Sequence, residues 1–88
     1  MPKSLPLPDD LLPLHVAVVE ADRNMIEARE QGGDVDAARD VYVQQMLALR
    51  AHPIWEQART ATEPCYAQTW QASLDKAKVA LDNELAAA

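Results

Sequence analysis

His52 to Trp70 read HPIWEQARTATEPCYAQTW, and the phase of this stretch decides whether the second half of the chain is one helix or two. At 100° per residue, Ile54, Ala58, Ala61 and Cys65 form one stripe, while Tyr66, Trp70, Leu74, Ala77, Leu81 and Leu85 form another. Projected on a single helix, the two stripe centres lie roughly 140° apart. One straight rod cannot turn both toward one core. The change falls between Thr60 and Pro64, where Thr62 suits an N-cap and proline is tolerated in a first turn. The spacing therefore predicts a break or sharp kink near Pro64, with a short helix at 53–61 and a long one at 63–86. Both tryptophans and the only cysteine fall in the same stretch. Trp55, Tyr66 and Trp70 are expected to form an aromatic corner where the short helix closes onto the rest. Cys65 reads as an ordinary half-buried thiol.

Upstream, Asp9 or Asp10 serves as the expected N-cap of a first helix, with Pro13 in its first turn, and Gly32-Gly33 stops it near Gln31. Asp34 caps a second helix from Val35 to about Ala51, and His52-Pro53 ends it. Residues 1–8 carry three of the six prolines, Pro2, Pro6 and Pro8, and read as an extended tail. The expected fold is all-α: a single domain over 9–88, a small bundle of three to four helices (about 9–31, 35–51, 53–61 and 63–86).

Composition agrees with that class. The 88 residues include two glycines, side by side, and no phenylalanine, while 49% are hydrophobic with alanine prominent. Such a chain has few bulky core residues, so dimerisation or a partner is expected to complete the core. The formal charge is −6, with nine acids and four bases in residues 1–44 against five acids and four bases in 45–88. Direct nucleic-acid binding needs a basic stripe, and the five arginines are scattered singly. A lone cysteine makes no internal disulfide, so a cytoplasmic location is expected. MPKSLPLPDD is not expected to act as a signal peptide, and LLPLHVAVV, from Leu11 to Val19, is too short to cross a membrane.

Two helix faces carry the functional expectations. On the first helix, Leu11, Leu12, Leu14, Val18, Val19, Met25 and Ile26 are apolar, and His15, Asp22 and Arg29 run through their middle seven residues apart. That row is read either as a buried polar line in a groove between two neighbouring helices or as a dimer seam. The first reading sets Leu14, Val18 and Met25 against one neighbour and Leu12, Val16, Val19 and Ile26 against the other. On the second helix, Val35, Ala38, Tyr42, Met46 and Leu49 make the core stripe. Val43 and Leu47 lie off it, flanked by Arg39, Asp40 and Arg50. These five, with the acids Glu27, Glu30, Asp34 and Asp36, are the expected protein-binding residues.

Catalytic chemistry is harder to place. His15, His52 and Cys65 share no metal-ligand spacing, and no nucleophile arrangement or phosphate loop is recognisable. No enzyme activity, cofactor or metal is expected. Glu27-Ala-Arg-Glu30 resembles the paired acids of all-α metal-dependent nucleotide hydrolases, but Asp36 and Asp40 lack the spacing of a second pair. The reading is a small acidic, non-enzymatic interaction module or regulator. It is expected to bind another protein, with a basic protein as one candidate, as a homodimer, with no direct nucleic-acid or membrane contact. The alternatives are a nucleic-acid-mimicking inhibitor of the phage or plasmid type, which predicts carboxylates along one side, and that small hydrolase.

Overall fold

The computed structural model describes residues 3–87; residues 1, 2 and 88, the ends of the expected tail and domain, lie outside the described residues. Four helices follow in order: α1 Leu11–Gln31, α2 Val35–Arg50, α3 Ile54–Thr60 and α4 Tyr66–Ala87. Their ends follow local chemistry. Gly32 stops α1 in the left-handed region at φ 71°, its amide bonded to the Ala28 carbonyl. Asp34 opens α2 by accepting the Ala37 amide at 3.0 Å. Asp10 precedes α1 without capping it, because its carboxylate is turned to His52 across the corner. The Ile54 amide donates to His52 Nδ1 at 3.1 Å, so Nε2 carries the proton and donates to Asp10 at 3.0 Å.

The break near Pro64 is complete. Helical geometry ends at Thr60, Ala61 is extended, and α4 starts at Tyr66, three residues later than the spacing predicts. Thr62 does not cap it. A residue before proline is steered away from helical geometry, and buried Cys65 sends its amide back to the Ala58 carbonyl at 3.0 Å. That bond holds 61–65 as a turn.

α1 is the centre of the bundle. α2 packs antiparallel to it, while α4 runs in the same direction as α1, matching His15 with Ser73 and Arg23 with Asp82. α2 and α4 flank α1 and hardly meet each other. Leu11, Leu14 and Val18 face Tyr42, Met46, Leu49, Ile54 and Trp55, whereas Leu12, Val16 and Val19 face Leu74, Ala77 and Leu81. The two-neighbour division expected for α1 holds along these turns, but Ile26 beyond them is exposed.

Two expectations about burial need correction. The core stripe of α2 is mostly half-buried, and only Leu49 is buried outright. On α4 the fully buried line is Thr69, Ser73, Ala77 and Leu81, while Tyr66, Trp70 and Leu74 are half-buried and Leu85 is exposed. The tail is also less free than its prolines imply. Leu5 and Leu7 pack on the core, and the Leu5 amide donates to Thr69 Oγ1 at 3.1 Å. Thr69 in turn donates to Cys65 Sγ at 3.6 Å.

The result is an open shape. The radius of gyration is 14.4 Å, against about 12 Å for a globular chain of this length. The accessible surface is 5867 Å², against roughly 5100 Å² for a monomer of this mass. No helix among the described residues is long and apolar enough to cross a membrane.

Candidate functional site

The missing contact between α2 and α4 leaves a groove whose floor is α1. Toward the α3 end it widens to about 690 Å³, lined by Tyr42, Met46 and Arg50 of α2 and by Tyr66, Ala67, Trp70 and Gln71 of α4. A second compartment of about 240 Å³ continues it upward and shares Tyr42, Met46 and Trp70. Its remaining walls are His15, Val18, Val19 and Asp22 from α1, with Leu74 and Lys78 from α4. An apolar, aromatic-walled concavity with a few polar atoms is the usual form of a binding site.

The aromatic corner forms at the wide end. Trp55 and Trp70 lie 4.9 Å apart between ring centroids, Trp55 and Tyr66 5.4 Å, and Tyr66 stacks nearly parallel to Trp70 at 6.2 Å. Trp55 is the anchored member, since its indole N–H donates to the Leu49 carbonyl at 2.7 Å in the buried end of α2. Tyr66 and Trp70 are only half-buried and offer their other sides to the groove.

His15 is the unusual group. It is fully buried, 4.8 Å from the Trp70 ring and edge-on to Trp55 at 6.4 Å, and its Nδ1 shares a 2.6 Å hydrogen bond with Ser73 Oγ. Either tautomer leaves Nε2 without a partner, and it is the orphaned buried side-chain polar atom among the described residues. Such an orphan costs roughly 1–3 kcal/mol. Burial disfavours the imidazolium and pulls its pKa below the ordinary value. The charged groups sharing its compartment are Asp22 and Lys78.

The expected row is therefore split by the structure. His15 is buried and Asp22 half-buried in the groove floor, but Arg29 is exposed one heptad on, so the row is not buried along its length. Over the last turns of α1 the neighbouring helices present Val35 and Ala38, which are small, and Leu85, which is exposed, so no large side chain closes over Arg29. Val43 and Leu47 stand exposed, at 46% and 66%, on the outer side of α2 beside the groove wall. Arg39, Asp40 and Arg50 are exposed around them. Glu27, Glu30, Asp34 and Asp36 are exposed too, but they do not gather: Asp34 caps α2 and Asp36 lies 3.6 Å from Arg39. Among the described residues no three His, Cys, Asp or Glu side chains converge as metal ligands do.

Arg23 is occupied by Asp82, Arg39 by Asp36 and Arg59 by Glu56, while Arg50 and Lys78 line the groove without an ion pair among the described residues. Sequence reasoning missed Ser73, Thr69, Tyr42, Met46 and Lys78 as members of the site. A signal for Ser73 was present, since it falls on the α1-facing side of α4 at four-residue spacing from Thr69 and Ala77. Comparison with known proteins adds no further constraint: no family model, no curated protein and no solved structure matches the chain.

Proposed function

We propose that this protein is a small non-enzymatic interaction module that works as a homodimer and takes an apolar segment of another protein into the α2–α4 groove. The observation that carries this reading is the groove itself. Tyr42, Met46, Tyr66, Trp70 and Leu74 are bulky, half-buried and line an open channel. Covering them recovers apolar burial that the isolated chain forgoes, at about 25 cal/mol per Å². The side chains of an entering segment meet Lys78 at the rim. The acidic helix faces around the groove add long-range attraction for a basic partner.

The mimic reading has less support, because the acids are spread over all four helices and Asp36, Glu56 and Asp82 are engaged with arginines. The hydrolase reading has no assembled acidic cluster to rest on.

Affinity capture from native lysate with the wild type and with Met46→Glu tests the groove. A partner retained by the wild type and lost by the folded variant is the expected result. Equal retention by both, or no retained protein, overturns the reading.

A further inference from the structure

The outer face of α2 has a charge order that fits a second copy of itself. Asp40, Val43, Leu47 and Arg50 follow one another at spacings of three, four and three residues. On a helix that places them in one stripe about 80° wide, the spacing of a coiled-coil seam. All four are exposed, and neither Asp40 nor Arg50 has an ion-pair partner among the described residues. The stripe thus holds two aliphatic residues in the middle, an unpaired acid at one end and an unpaired base at the other.

We propose that α2 pairs antiparallel with α2 of a second copy about a two-fold axis that crosses the stripe midway between Val43 and Leu47. An isologous contact requires that if residue i meets j, then j meets i. In this register Val43 meets Leu47 of the second copy, and Asp40 meets Arg50 of the second copy, each contact occurring twice. The parallel arrangement sets Asp40 against Asp40 and Arg50 against Arg50, so charge alone selects the antiparallel one. The chain's excess surface over a monomer of its mass, roughly 750 Å² by the usual scaling, is close to the share each partner contributes to a standard interface. The partner's α2 then lies along the outer edge of the groove and leaves the Trp70 wall open.

This inference rests on the homodimer reading and adds the register, so its test separates the two. Light scattering with size exclusion, across a wide concentration range at low salt, measures dimer formation for the wild type, Asp40→Arg, Arg50→Asp and the double exchange. Each single reversal opposes like charges at both ends, and the expected result is a dimer dissociation constant raised at least about tenfold. The double exchange restores the dimer, and so does mixing the two single variants, which meet as complementary copies. Val43→Ser with Leu47→Ser abolishes it. Unchanged far-ultraviolet circular dichroism shows that these exposed substitutions leave the fold intact. A wild type that stays monomeric overturns both the dimer and the register. A wild-type dimer indifferent to the reversals, or one that the mixture fails to restore, overturns the register alone.

Discussion

α4 meets its two neighbours differently. Toward α1 the contact is closed: Thr69, Ser73 and Ala77 are small, buried and four residues apart, so the two backbones approach closely over Val19. Between α2 and α4 the facing residues are Tyr42, Met46, Tyr66, Trp70 and Leu74, which are too large to let the helices meet and too few to fill the space between them. Small residues make a seam here, and large ones make a channel. Bulk without a partner holds surfaces apart.

Truncation at matched positions is the strongest way to break that contrast. Leu81→Ala removes a side chain 2% exposed in the closed seam and is expected to cost about 2–5 kcal/mol in urea unfolding. That is a large share of the roughly 4–13 kcal/mol available to a chain of this size. Met46→Ala in the channel wall is expected to cost about 1 kcal/mol or less, because the site is already open and half-solvated. Equal losses at the two positions mean that the channel is filled in solution.

The next test addresses the polar link between α1 and α4. Because burial lowers the folded-state pKa of His15, the unfolded chain binds the proton more readily. The contribution is fully present above the ordinary imidazole value of about 6.5 and is lost as pH falls from there toward the lowered folded value. Urea midpoints therefore decrease as pH drops below that ordinary value, and His15→Gln flattens this part of the profile. A slope that persists in the variant assigns the effect to other groups.

The smallest effect is expected at the rim of the closed seam. Arg23 and Asp82 form a 2.8 Å pair with both side chains well exposed. Arg23→Ala should lower stability by roughly 0–1 kcal/mol, with the difference shrinking as salt is added. A larger, salt-resistant loss places this pair inside the seam rather than at its edge.

Helix existence was legible because periodicity, glycine and capping acids act within a few residues of one another. Gly32, Asp34 and the phase change before Tyr66 each carry their own instruction, and the structure follows them. Burial was legible only where it tracks hydrophobicity. Thr69 and Ser73 are buried on the inner side of α4, yet as polar residues they carry no apolar signal, which Trp70 and Leu74 do. The start of α4 was misplaced for a related reason. Thr62 has the right local chemistry for a cap, but a longer-range bond from Cys65 to Ala58 decides the turn. The groove was foreshadowed by the His15–Asp22 spacing, while its walls depend on which helices fail to touch.

The parallel alignment of the first and last helices also orders events during synthesis. Leu5 and His15 have their hydrogen-bonding partners at Thr69 and Ser73, so the hairpin of α1 and α2 leaves the ribosome before either can be satisfied. Closing that interval carries the loop-entropy cost of a non-local contact, and the α4-facing side of the nascent hairpin stays uncovered until Thr69 and Ser73 have emerged.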